Sequence, residues 1–114
     1  IRLVEHFMTV DAEIVIIAYG CVARSARRAV LEARSEGLKV GMLKLITLWP
    51  FPRSYVELLV KAEKTLLVPE MNMGQISREV KRVNEGMTQV LTLNKIDGTI
   101  ISPKEILAKL KEKR

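Results

Sequence analysis

The stretch "EIVIIAYGCVARSARRAVLEARSEGLKVGMLKLI", Glu13–Ile46, decides the fold. Its opening run through Tyr19 is apolar and of strand length, the pattern of a strand covered on both faces. Gly20 ends that run, and Ser25–Glu36 follows with a helical period. Ala26, Ala29, Val30 and Ala33 fall on one face, and Gly37 stands where a left-handed C-cap belongs. Alanines on the inner face let a helix lie close against a sheet. Leu38–Ile46 then returns to a strand pattern. A strand, a helix and a second strand at this spacing predict parallel pairing through a right-handed crossover.

The alternation continues to the end of the chain. Ser54 with Glu57 reads as a capping box before a helix carrying Val56, Leu59 and Val60. Thr65–Glu70 is the third strand. Asn72 and Gln75 repeat the box spacing ahead of Ile76, Val80 and Val83, and Gly86 closes that helix. Thr88–Leu93 is the fourth strand, Asp97-Gly98 a turn, and Ser102-Pro103 with Glu105 caps a helix whose Ile106, Leu107 and Leu110 face inward. The predicted architecture is a three-layer α/β/α domain with a mainly parallel sheet of four to five strands, the four clear ones ordered 2-1-3-4. Residues before Asp11 read equally as the tail of a preceding helix or as a short edge strand. The expected division is 1–12 as the end of a linker or preceding element and 13–114 as the domain.

Composition narrows the function. The 114 residues suffice for one core, and 48% hydrophobic with 28% charged residues fits a globular chain. The longest apolar run, "IVIIAYGCVA", is broken by Gly20 and falls short of a membrane span. The net charge of +6 invites a nucleic-acid reading, but the arginines of Ser25–Glu36 are mixed with Glu32 and Glu36, and no aromatics interleave for base stacking. No nucleic-acid or membrane partner is expected. One cysteine, Cys21, and one histidine, His6, can build neither a disulfide nor a zinc or iron–sulfur centre alone, which suits a reducing cytoplasm. The chain opens on Ile1 with nothing resembling a signal peptide, and reads as part of a longer polypeptide.

In a doubly wound sheet the functional edge is where strands end and helices begin. Two loops matter there, "YGCVARS" and "VPEMNMGQ". Gly20, Cys21, Arg24 and Ser25 sit at a helix start that suits an anion, although a lone glycine matches neither nucleotide-binding fingerprint and also serves simply as a turn. Cys21 lacks the neighbouring base that a nucleophile needs. Glu70, Asn72 and Gln75 form a second polar set, in which Glu70 is expected to pair with Arg24 rather than act as acid or base. Met71 and Met73 add adaptable apolar surface. In "LITLWPFP", each proline disfavours α geometry at the residue before it, so Trp49 and Phe51 are expected to be extended. Carrying no strong acid, base or metal ligand, this loop reads as a docking surface.

The ordered combination of "AYGCVARSA", "LWPFP" and "PEMNMGQ", within a match over roughly Asp11–Pro103, resembles the α subunit of 2-oxoacid:ferredoxin oxidoreductases, especially the 2-oxoglutarate type. The family's pattern usually has serine where this chain has Cys21. The resemblance implies a transketolase C-terminal-like domain that follows a pyrimidine-binding domain of the same subunit and meets a β subunit. It also implies oxidative decarboxylation of a 2-oxoacid, with coenzyme A taking the acyl group and ferredoxin the electrons. Thiamine diphosphate, Mg²⁺ and iron–sulfur clusters are then expected in the holoenzyme and none in this chain, which carries over no catalytic residue. Trp49, Phe51, Glu70, Met71, Asn72, Met73 and Gln75 are assigned to contacts between domains and subunits. The alternative is a small anion- or coenzyme A-binding module at Gly20–Ser25.

Overall fold

Strand β2 (Ile14–Tyr19) organises the molecule, because Val15, Ile16, Ile17 and Ala18 are all fully buried. Successive strand residues point to opposite faces, so complete burial requires a layer on each side. Val15 and Ile17 meet Val56, Leu59, Ile76 and Val80 on one face, while Ile16 and Ala18 meet Ala26, Ala29, Ile106 and Leu110 on the other. The structure, a computed structural model, describes residues 3–71, 74–95 and 99–113. Helices α1 (Gly20–Ser35) and α4 (Pro103–Lys113) pack together on one face, α2 (Arg53–Lys61) and α3 (Gln75–Asn84) on the other. Burying each core Ile, Leu or Val contributes about 1.5–3 kcal/mol.

Strand β2 pairs in parallel with β3 (Val40–Leu45) and β4 (Thr65–Glu70), and β4 pairs in parallel with β5 (Val90–Asn94). These four strands lie in the predicted order. The open alternative at the N-terminus resolves as an edge strand: β1 (Val4–Phe7) pairs antiparallel with β3, giving the order β1-β3-β2-β4-β5.

Local chemistry sets the element ends, and two of them depart from expectation. Helix α1 starts at Gly20, not near Ser25. Tyr19 is extended, Gly20 turns the chain at φ +60°, and no loop intervenes. The Ser54–Glu57 capping box does not form; Pro52 takes the cap position of α2, and Glu57 pairs with Arg53 at 3.0 Å. The Asn72 box and the Asp97-Gly98 turn lie outside the described residues. The other ends follow the sequence. Gly37, at φ +87°, donates to the Arg34 carbonyl and Leu38 to that of Ala33, closing α1 with the predicted left-handed cap. Ser102 Oγ accepts from the Glu105 amide at 3.2 Å, and Glu105 Oε1 accepts from the Ser102 amide at 3.0 Å, a reciprocal capping box. Lys95 reaches the same carboxylate at 2.8 Å and, with the Ser102 amide, lowers the Glu105 pKa.

Two features fix the β1–β2 turn. Arg34 donates to Asp11 through both Nη atoms, at 2.7 and 3.2 Å, and to the carbonyls of Met8 and Val40. One guanidinium thereby ties α1, β3 and the turn together. The Met8–Thr9 backbone also passes directly over Gly41, where a Cβ would stand 2.4 Å from the Met8 carbonyl oxygen.

Two outcomes follow for stability. Gly41→Ala forces backbone apart from backbone and is expected to cost about 2 kcal/mol or more, read as a lowered denaturation midpoint with unchanged slope. The Arg34 guanidinium holds the Asp11 carboxyl below its usual 3.8. A depressed folded-state pKa favours the fold while Asp11 is ionised, so its contribution is complete above the unfolded value and disappears as pH falls through the folded one. Asp11→Asn is therefore expected to be less stable than wild type at pH 7, the gap narrowing below about pH 4; a constant gap across a pH series of unfolding curves refutes this.

Candidate functional site

The carboxyl ends of β2, β3 and β4 converge with the starts of α1, α2 and α3 on one rim of the domain. Parallel pairing alone puts them there, because every strand of the set runs the same way. At the centre stands Glu70, the last residue of β4, with no solvent exposure. Its Oε1 accepts the Ile76 amide at 2.8 Å and its Oε2 the Ser77 amide at 2.8 Å. A buried carboxylate is tolerated only when its charge is met. Here two first-turn amides and the positive end of the α3 dipole meet it.

This arrangement corrects the expected Glu70–Arg24 ion pair, because both carboxylate oxygens are engaged by amides of α3 inside the fold. It also supplies acceptors for the first turn of α3. Gly74 caps the helix in the left-handed region at φ +86°. A Cβ there would crowd Asn94 Nδ2 at 3.0 Å and Ser77 Oγ at 3.1 Å. Ser77 Oγ completes the turn by donating to the Gly74 carbonyl at 3.0 Å. Sequence reading missed Gly74 and Ser77; the available signal was a carboxylate at a strand end with a helix start five to six residues on.

The remaining expected residues divide. Met71 is half-buried, and its Sδ lies 4.0 Å from Cys21 Sγ, so the two loops touch through sulfur. Gln75 is exposed, while Asn72 and Met73 lie outside the described residues. Ser25 is buried beneath α1, whereas Gly20, Cys21 and Arg24 are exposed on its first turns. The four anion candidates thus differ in exposure, with Ser25 apart from the other three.

The 45–52 segment carries both fates that its aromatics allowed. Phe51 packs on the α2–α3 side of the core with Tyr19 and Tyr55, and Pro52 is buried. Trp49 is 62% exposed and Ile46 46%; the Trp49–Pro50 peptide is cis. Phe51 and Pro52 thereby anchor a loop whose tip presents an indole to solvent, an amphipathic group suited to protein contacts.

Glu70→Ala removes the acceptor for two buried amides and is expected to destabilise by about 3 kcal/mol. Glu70→Gln keeps one acceptor but turns an NH₂ toward the second amide, giving an intermediate loss. Equal stability of the three proteins in urea unfolding would contradict the capping role.

Comparison with known proteins follows the same outline. Residues 12–106 match the family model described as pyruvate:ferredoxin oxidoreductase core domain II. The chain is 46% identical over 107 residues to 2-oxoglutarate synthase subunit KorA of Methanothermobacter marburgensis, covering 94% of this chain and 28% of that protein. Among solved structures, 2-oxoglutarate:ferredoxin oxidoreductase from Magnetococcus marinus, with 2-oxoglutarate, coenzyme A and succinyl-CoA bound, superposes with a TM-score of 0.83 at 26% identity, over 98% of this chain and 20% of that one. A split-gene transketolase in its inactive β4 tetramer superposes at 0.79 with 15% identity, over 95% of this chain and 40% of that one, which shows a shared transketolase-like fold. The chain spans less than a third of the length of its curated relative.

Proposed function

This chain belongs to the pyruvate:ferredoxin oxidoreductase core domain II family, and from that premise we propose that it is the non-catalytic C-terminal domain of the α subunit of a thiamine-diphosphate-dependent 2-oxoacid:ferredoxin oxidoreductase of the 2-oxoglutarate type. Its task is assembly. The rim holding Trp49, Met71 and Gln75 seats the preceding pyrimidine-binding domain and the β subunit of an enzyme that converts 2-oxoacids to acyl-CoA and reduces ferredoxin. Residues 1–12 lead into the domain proper at 13–114, lending it an edge strand on the way. The intact enzyme works in the cytoplasm; no helix among the described residues is long and apolar enough to cross a membrane.

The observation that carries this reading is the exposed Trp49 on a loop anchored by buried Pro52 and half-buried Phe51. An indole left in water on a fixed loop costs solvation that a docking partner recovers. Glu70 supports it from the other side, since among the described residues the one carboxylate at the strand ends already serves α3. The sequence's single cysteine and single histidine do not fit a four-thiolate cluster. In this reading thiamine diphosphate, Mg²⁺ and the clusters are held by other domains, and substrate choice lies there too.

The test is reconstitution of the complete α subunit with its β subunit. Trp49→Ala combined with Met71→Ala is expected to leave the melting temperature of the 114-residue chain within a few degrees, while weakening subunit association at least tenfold in sedimentation experiments. Unaltered association refutes the docking assignment. Oxidation of a 2-oxoacid, or tight binding of thiamine diphosphate, by the 114-residue chain alone refutes the non-catalytic one.

A further inference from the structure

A cleft of about 600 Å³ lies between the outer flank of α1 and the β1–β3 edge, a size ordinary for small-ligand sites. Ala23 and Met42 form its apolar floor, each only 4% exposed. Three cations stand around it: Arg24, Arg27 and Lys44. Arg24 and Arg27 are three residues apart on α1 and therefore share a helix face. From the sheet, Lys44 sits opposite Glu5 in the β1–β3 register, with a loose 3.7 Å contact.

Among the described residues, Arg24 and Arg27, like the exposed Arg78 of α3, lack the carboxylate partner that other helix arginines have. Arg28 has Glu32, Arg53 has Glu57 and Arg82 has Glu79 within ion-pair distance. Among the described residues no carboxylate stands within that distance of Arg24 or Arg27. Arg27 instead lies over the Phe7 ring, its guanidinium carbon 4.2 Å from the centroid. Stacking orients the guanidinium plane and leaves its N–H donors free for an acceptor. The unmet positive charge of Arg24 and Arg27, beside the Lys44–Glu5 pair that also lines the cleft, favours an anion entering this concave surface.

From this geometry we propose that the cleft binds a nucleoside phosphate, with the phosphate held by Arg24, Arg27 and Lys44 and the base lying along the apolar floor beside the Arg27–Phe7 stack. Guanidinium groups suit phosphate through paired N–H donors, and a planar guanidinium also stacks with a flat base. The anion site expected at Gly20–Ser25 thus shifts around α1. Gly20 and Arg24 line the cleft, but Ser25 is buried and Cys21 turns toward Met71. The cleft shares the start of α1 with the docking rim, but neither Trp49 nor Met71 lines it, so either assignment stands if the other falls.

The experiment is calorimetric titration of the 114-residue chain with ADP, inorganic phosphate and adenosine as probes. Saturable 1:1 binding of ADP is expected, at least tenfold tighter than phosphate or adenosine. Arg24→Ala and Arg27→Ala are each expected to weaken ADP at least fivefold. Arg28→Ala, on the same helix but outside the cleft, should stay within twofold. Should Arg27→Ala disturb folding, Arg24→Ala decides alone, because that side chain is exposed. No saturable ADP binding, equal affinity for phosphate and ADP, or an equal loss in Arg28→Ala overturns the proposal.

Discussion

Strand β2 has no side that faces water, and the remaining architecture answers that constraint. Four consecutive buried residues with alternating directions oblige the chain to supply helices above and below, and strands to left and right. The alanine-rich face of α1 meets the demand on one side at short range, and the branched residues of α2 and α3 meet it on the other. Since β2, β3, β4 and β5 run in parallel, their ends come to one rim. The position of the candidate docking surface is thus a by-product of covering β2.

That rim is shaped by a charge kept inside. The Glu70 carboxylate would be costly in the core without partners, yet two amides of α3 turn it into the helix's cap. Arg34 works similarly at the opposite end, where one guanidinium gathers Asp11 and two backbone carbonyls. In both places a single charged side chain orders segments distant along the chain. The exposed Trp49 stands on a scaffold that these two charged side chains help hold in place.

Much of this was legible in the sequence, for identifiable reasons. β-Branched runs of fixed length and helical stripes depend on neighbouring residues alone, so the four parallel strands, their order and the Ser102–Glu105 box could be read directly. The role of Glu70 could not, because a glutamate at a strand end looks the same whether it meets an arginine, a ligand or an amide six residues on. The Ser54–Glu57 pattern misled because Pro52 took the cap position and Arg53 engaged Glu57. The cleft beside α1 was hidden for another reason. Phe7, Arg27 and Lys44 come together only once β1 folds back against β3, a long-range pairing for which the first ten residues gave no decisive pattern.

The antiparallel sense of β1 has a topological outcome. Val4 lies opposite Leu45, and the Leu3 carbonyl accepts from the Ile46 and Thr47 amides, which brings the leading end of the chain to the Trp49 rim. Helix α4 runs away from that rim, and Lys111 near its end pairs with Glu36 just beyond α1 on the far side. A segment fused ahead of Leu3 would emerge at the proposed contact surface, so a neighbour joined there would meet Trp49 at high effective concentration. An affinity handle would do least harm behind α4, whereas one placed at the front would compete for the very ground a sibling domain needs.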